Sequence, residues 1–277
     1  MTAPLRRTRA ALAAMTALAA LSVSACANYS TTTPGASGSA AASGATVPLV
    51  QPGKLLVCTH LSYKPFQYRE GSKVVGFDVD IMDLVAKKLN VTQEIVDIEF
   101  AQITSGAVFA AKKCDAGAAA VTVTDKRKEA VLFSDPYFKA TQALITKDSS
   151  VTDLASLKGK KLGVQSDTTG LEYAEKNKAQ YGYEIVVFDD MPSELAAVLA
   201  GTVAAGINDN GVVYDYAKEN PTMKVVKEFD TGEVYGMLFD KNNQALAKLT
   251  NDALTQAKSD GTYATIYKKW FNAEPPK

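Results

Sequence analysis

Between residues 54 and 271 the chain alternates short apolar segments with amphipathic ones, and no other feature constrains its fold as much. The run Lys54-Leu55-Leu56-Val57-Cys58-Thr59 has the length and composition of a strand. In 78–89, Ile81, Leu84, Val85 and Leu89 recur at helical spacing and mark a single buried face. Further strands are expected at 91–98, 115–123, 161–164, 184–188 and 204–207. The segment 115–123 is rich in small residues and suits burial on both faces. Helices are expected at 104–112, after Thr124 as N-cap, and at 152–158, 168–178, 193–200, 208–216, 244–259 and 262–271. Strands that alternate with helices predict an α/β fold with mainly parallel sheets flanked by helices. Two extended passages, 137–146 and 230–238, bracket the middle third. They predict a discontinuous first lobe (54–140 and 236–277) and a continuous second lobe (141–235), joined by a two-strand hinge that permits lobe motion.

The first 53 residues lack this alternation. Arg6, Arg7 and Arg9 precede an apolar stretch, 10–21, too short to span a bilayer, as in a secretory signal. Val23-Ser24-Ala25-Cys26 follows, and small residues before a cysteine resemble the lipobox of bacterial lipoproteins. That resemblance implies a signal peptide at 1–25, lipidation of Cys26 and anchorage on the extracytoplasmic face of the cell membrane. The alternative is an ordinary signal peptide, with Cys26 incidental. Residues 27–47 are mostly Ser, Thr, Ala and Gly, and cannot bury enough surface to offset their ordering entropy. Segment 26–53 therefore reads as a lipidated cysteine and flexible linker. No later stretch is apolar enough for a second membrane segment. The whole chain has 30 basic and 30 acidic residues; the three arginines leave with the signal, so 27 basic residues face 30 acidic ones. Nucleic-acid binding has no support in that balance. Cys58 and Cys114 form either a disulfide or two buried free thiols, their strands being out of register by several residues.

Several spaced motifs sit on this framework. Gly76-Phe77-Asp78-Val79-Asp80-Ile81-Met82-Asp83-Leu84-Val85-Ala86 follows Tyr63-Lys64-Pro65-Phe66. Then come Thr122-Val123-Thr124-Asp125-Lys126-Arg127 with Phe133-Ser134-Asp135-Pro136-Tyr137, Gly163-Val164-Gln165-Ser166-Asp167-Thr168-Thr169, Asn208-Asp209, and Asp260-Gly261-Thr262-Tyr263 through Trp270-Phe271. In order and spacing these blocks resemble the family 3 extracellular solute-binding proteins, the amino-acid receptors of ABC importers, over roughly 54–271. The resemblance implies a two-lobed periplasmic-binding-protein-like fold, capture of a polar α-amino acid between the lobes, delivery to permease subunits, and action as a monomer without a cofactor or metal.

The residues themselves fit that chemistry. An α-amino acid held in a dry cleft needs partners for both its charges. Arg127 offers a planar fork for a carboxylate. Thr168 and Thr169 lie at a strand-to-helix turn, where backbone N–H groups attract anions, although capping alone would explain one of them. Asp209 is either a helix cap or, as the resemblance implies, the partner of the ligand ammonium. The resemblance also places Ala120 and Thr122 in the site. Tyr63, Phe66, Phe100 and Gln102 are pocket or rim residues on the same ground, Phe66 nearer the edge, or else core. Asp78 and Asp80 suit a helix start and are read as structural. His60 stands where relatives that bind basic amino acids often carry an acid, which argues mildly against a lysine or arginine ligand.

The competing reading is an enzyme on the same scaffold, similar to a cyclohexadienyl dehydratase. With the single histidine at position 60 no Ser-His-Asp arrangement is supportable, and no zinc-ligand cluster is apparent, while a paired-carboxylate site stays open. Asp209 opposite Arg127 suits a zwitterion better than a dicarboxylate substrate. A sensory domain would continue into a signalling segment, which the ending Pro275-Pro276-Lys277 does not suggest.

Overall fold

The computed structural model describes residues 47–276; the signal segment, Cys26 and most of the linker lie outside them. The first lobe opens with β1 (Lys54–Thr59), the hairpin β2 (Tyr68–Glu70) and β3 (Lys73–Val75), then α1 (Phe77–Leu89) and β4 (Thr92–Asp97). Short helices α2 (Phe100–Thr104) and α3 (Ala107–Ala110), β5 (Ala116–Gly117), α4 (Asp125–Ala130) and β6 (Leu132–Phe133) follow. Strand β7 (Phe138–Thr146) leads into the second lobe, which holds β8 (Lys161–Gln165), α5 (Thr169–Tyr181), β9 (Glu184–Phe188), α6 (Met191–Ala200), β10 (Ala205–Asp209) and α7 (Asn210–Glu219). Strand β11 (Lys224–Tyr235) returns, and β12 (Leu238–Phe239), α8 (Gln244–Asp260) and α9 (Thr262–Phe271) complete the first lobe.

The two sheets follow one plan. Their orders are β4-β1-β5-β12-β6 and β11-β7-β10-β8-β9. In each, three adjacent strands are parallel, and the fourth, the strand by which the chain crosses between lobes, runs against them. The fifth strand is antiparallel to that one and so shares the direction of the first three. Strand β1 is buried on both faces from Leu55 to Thr59, as parallel strands covered by helices are. Strands β7 and β11 pair antiparallel from Thr146↔Lys224 to Phe138↔Tyr235, forming the two-strand ribbon between the lobes.

Four local features depart from the sequence expectation. The helix expected at 104–112 breaks into α2 and α3 because Gly106 adopts a left-handed φ of 76°. The strand expected at 115–123 pairs only at Ala116–Gly117. Beyond it Ala120 takes a φ of 49°, held by donation of its N–H to Asp78 Oδ2 at 2.8 Å, so the chain leaves the ladder. The helix expected at 152–158 is a single 3-10 turn, Ala155–Leu157. Strand β11 starts earlier than expected and has a bulge between Phe229 and Glu233, where Gly232 adopts a φ of 70°.

The alternative left open for Cys58 and Cys114 resolves as a disulfide, with Cα atoms 5.7 Å apart. Cys114 precedes β5 rather than lying in it, so the strand register does not keep the sulfurs apart. The Asp115 N–H donates to the Leu56 carbonyl and draws this turn against β1.

A candidate ligand cleft between the lobes

Loops at the carboxyl ends of the parallel strands meet between the lobes, where open α/β sheets place ligands. They form a cavity lined on the first-lobe side by Tyr63, Phe100, Ala120, Thr122 and Arg127, and on the other by Thr168, Thr169 and Asp209. Every site residue expected from sequence except Phe66 and Gln102 is among the lining residues, which also include His60, Gln67, Ala119 and Gln165. The Phe66 ring is fully buried and packs 4.9 Å from Phe138, 5.3 Å from Tyr235 and 5.4 Å from Phe271, in an aromatic core beneath the cleft. Gln102 lies outside the lining, with its Oε1 accepting from Lys113 Nζ at 3.3 Å.

Arg127 sits on α4, whose N-cap Thr124 accepts from the Arg127 N–H at 3.2 Å. Its guanidinium donates to the Thr122 carbonyl and, across the lobes, to the Asp167 carbonyl, both at 2.8 Å. It also stands 5.4 Å from the Phe100 ring centroid. These contacts fix the fork and leave other N–H groups for an incoming oxyanion. Burial pulls its pKa down; Asp209 opposes that most strongly.

Asp209 occupies the N-cap position of α7 but makes no capping hydrogen bond, so capping does not explain its carboxylate. Gln142 Nε2 donates to Oδ1 at 2.5 Å, and the Tyr235 hydroxyl donates to Oδ2. Burial, then repulsion from Glu233, pushes the Asp209 pKa up to about 7.

The two threonines differ. Thr168 caps α5, its hydroxyl accepting from the Leu171 N–H at 3.1 Å and donating to the Gln165 carbonyl at 2.7 Å. That hydroxyl is engaged locally, so its backbone N–H is the group suited to an anion. Thr169 points its hydroxyl to Glu233 Oε2 at 2.7 Å and lies 3.4 Å from the Thr122 hydroxyl of the opposite lobe. Tyr63 also bridges the lobes, donating to Asn208 Oδ1 at 2.7 Å, while Asn208 Nδ2 donates to the buried Glu194 at 2.8 Å.

Sequence reasoning missed Gln142 and Glu233, one on each ribbon strand. The bulge in β11 turns Glu233 inward, where it accepts from Thr122 Oγ1 at 2.9 Å and from Gln142 Nε2 at 3.2 Å. A lone glutamine in the apolar run 142–145 was the available signal for Gln142. Thr231-Gly232 before Glu233 marked a turn in an extended segment, but not which way the glutamate faces. Asp78 and Asp80 have the structural roles expected. Asp78 holds Ala120 and accepts from the Tyr137 hydroxyl at 2.7 Å; Asp80 accepts from Trp270 Nε1 at 2.7 Å and so docks α9.

A guanidinium on one lobe and a carboxylate on the other, facing one enclosed space, define a two-lobed protein built to hold a small solute of mixed charge. Residues 55–273 match the bacterial extracellular solute-binding proteins, family 3. The chain is 29% identical over 257 residues to the arginine-binding extracellular protein ArtP of Bacillus subtilis, covering 92% of this chain and 97% of that protein. It is 32% identical over 276 residues to a probable histidine-binding protein of Neisseria gonorrhoeae, covering 95% and 96%. Among solved structures it resembles an ancestral arginine-binding protein bound to arginine, with a TM-score of 0.74, 38% identity, and coverage of 79% of this chain and 98% of that one. This chain belongs to family 3 of the bacterial extracellular solute-binding proteins.

Proposed function

We propose that this protein is the substrate-binding component of an ABC importer and captures a free polar α-amino acid in the cleft. The observation that carries this reading is the placement of Arg127 and Asp209 on opposite lobes around one cavity. Arg127, Thr122 and the N-terminus of α5 would take the α-carboxylate; Asp209 and the Ala120 backbone would take the α-ammonium. A ligand that contacts both lobes favours the closed state over the open one, and the β7/β11 ribbon is the hinge. The closed monomer then presents its cargo to the permease. Lipidated Cys26, on the far side of the linker, keeps the receptor at the extracytoplasmic face of the membrane. Among the described residues no helix is long and apolar enough to cross a membrane. Mass spectrometry of the mature amino terminus tests the anchor: a diacylglyceryl mass on Cys26 is expected, and a terminus with Cys26 unmodified would remove it.

A thermal-shift screen against the free amino acids at two pH values tests the receptor role. Ligand at a thousand times its Kd is expected to stabilise the protein by about 4 kcal/mol. No response to any amino acid, or turnover of a cyclohexadienyl acid, would overturn the assignment. The pH arm follows from Asp209. Its folded pKa of about 7 lies above the ordinary value of 3.8, so the ligand-free protein holds a proton that the unfolded chain releases. The stability this group contributes is full below about pH 4 and lost as pH rises through about 7. Ligand affinity has the opposite sign, because an ammonium pairs only with the carboxylate. Affinity is expected to fall about twenty-fold between pH 7.5 and 5.5.

A further inference from the structure

The bulge in β11 decides which side chain faces the floor of the cleft. Phe229 pairs with Gln142, so a regular ladder would set Thr231 opposite Ala140; extra residues in the bulge put Glu233 there instead. Ala140 and Gln142 share one face of β7, and the small side chain of the buried Ala140 leaves room for a long one across from it. Glu233 fills that room and is 9% exposed.

Its carboxylate is saturated by the protein itself. The Thr231 hydroxyl donates to Oε1 at 2.7 Å, and Gln142 Nε2 lies 3.2 Å from both oxygens. Oε2 also accepts from the Thr122 hydroxyl at 2.9 Å and from the Thr169 hydroxyl at 2.7 Å. These donors fill the roughly four acceptor sites that a carboxylate has. Glu233 is not among the residues that line the cavity, and it has no lone pair left for a cargo ammonium. The origin of its donors is what gives it meaning. Thr122 belongs to the first lobe, Thr169 opens α5 in the second, and Gln142 lies on the ribbon strand beside it. One oxygen, Oε2, thus joins both lobes to the ribbon between them. The two threonine hydroxyls lie 3.4 Å apart, a spacing that exists only while the lobes are together.

We infer that Glu233 is an interlobe latch, a positioning residue that favours the closed arrangement of the lobes through bonds of its own, in addition to those a cargo makes. Rotation about the ribbon carries Thr122 away from Thr169, and Oε2 can then keep at most one of them. Opening therefore breaks a charge-assisted hydrogen bond at a buried site. Because the hydroxyl protons of Thr122 and Thr169 go to Glu233, both residues meet a cargo carboxylate through their backbone N–H groups. Tyr63 to Asn208 and Arg127 to the Asp167 carbonyl are further direct bonds between the lobes. A closed state supported in this way lowers the differential affinity that a cargo must have to shift the population. The latch goes beyond the receptor reading, and its test needs no cargo.

The test is hydrogen exchange resolved by residue, on the mature protein refolded from denaturant into buffer free of amino acids. The backbone N–H groups at positions 122 and 169 stand on opposite walls, so lobe opening exposes both together. Glu233→Ala removes the shared acceptor. It is expected to quicken exchange at both positions by the same factor, about ten-fold, with exchange in β1 and β8 unchanged. Glu233→Gln is expected to exchange as the unaltered protein does, within about three-fold, because both interlobe bonds end on one oxygen and an amide has one. Unchanged exchange at 122 and 169 in Glu233→Ala would overturn the inference. So would an equal effect of Glu233→Gln, which would assign the effect to charge, or faster exchange throughout both lobes, which would assign it to general stability. Where Glu233→Ala fails to fold, Thr169→Val removes one interlobe donor from the other side and is expected to quicken exchange at both positions; no change there would overturn the latch as well. Failure to bind any amino acid would overturn the receptor reading and leave these results as they stand.

Discussion

Arg127→Ala is expected to weaken amino-acid binding about a thousand-fold, with the ligand-free protein still folded. The guanidinium is held by two carbonyls, one from each lobe. Its removal therefore leaves a ligand carboxylate in a desolvated cleft without its cation, which costs about 3–5 kcal/mol when one partner of a buried pair is deleted. The fold does not depend on it, since α4 is a short surface helix whose N-cap bond uses the Arg127 backbone. Asp209→Asn is the matching change on the other lobe. It keeps a side chain that can accept from Gln142 and exchange a hydrogen bond with Tyr235, and it removes the charge that pairs with an ammonium. Because burial, and then repulsion from Glu233, disfavours the charged Asp209, that variant is expected to lose affinity by a comparable factor while the protein without amino acid melts at the same temperature or higher. Circular dichroism and calorimetry read the two effects separately. Near-native affinity in either variant would remove Arg127 or Asp209 from the site, and in both would sink the cleft assignment.

The same residues show how much of the site was legible in the sequence. Arg127, Thr122, Thr169 and Asp209 could be named because the blocks that carry them resemble those of the family; their charge and hydroxyl groups suit a zwitterion, but taken alone each also reads as a cap or a solvated side chain. Elements bounded by local chemistry were also legible. Strand β9 and helix α9 lie where the pattern puts them, the latter starting directly after its N-cap Gly261, which adopts a φ of 84°. What escaped depends on contacts between distant segments. Phe66 is one residue away from the cavity-lining Gln67, and only the surrounding rings of Phe138, Tyr235 and Phe271 put it in the core. Glu233 reaches the cleft because a bulge forms opposite Thr141, a consequence of pairing between β7 and β11 that neither strand encodes alone. Glutamines 67, 142 and 165 are neutral and common; their meaning lies in which of their atoms find partners, and that is set by tertiary packing.

Loss of the Cys58–Cys114 bridge is expected to lower stability by about 4 kcal/mol, and the melting temperature by about 10 °C, without abolishing the fold. The bridge closes a loop with a sequence separation of 56 residues, and the loop-closure entropy it removes from the unfolded chain gives that magnitude. The loop it closes contains His60, Tyr63, Gln67 and Phe100 of the first lobe's cavity wall. It runs from the end of β1, just before His60 and Tyr63, through Phe100 to the turn that precedes Ala119 and Ala120. Both sulfurs lie in an apolar cluster with Leu56, Ile103, Val108, Phe109 and Val121, so a reductant reaches them only when this part of the lobe opens. Two consequences follow from that burial. Reduction of the folded protein is expected to be slow, and to speed up steeply near the melting temperature. The double variant Cys58→Ala, Cys114→Ala is expected to show the full loss of stability at once, with a smaller loss of affinity, because the same apolar neighbours still hold the wall in place. Thermal melts of the oxidised protein, the reduced protein and the double variant measure this, and coincident melts would show that the bridge adds nothing to packing. A gain of this size requires oxidation, which fits a protein that folds outside the cytoplasm. The same chain folded in a reducing cytosol is expected to yield a receptor that binds but melts at the lower temperature.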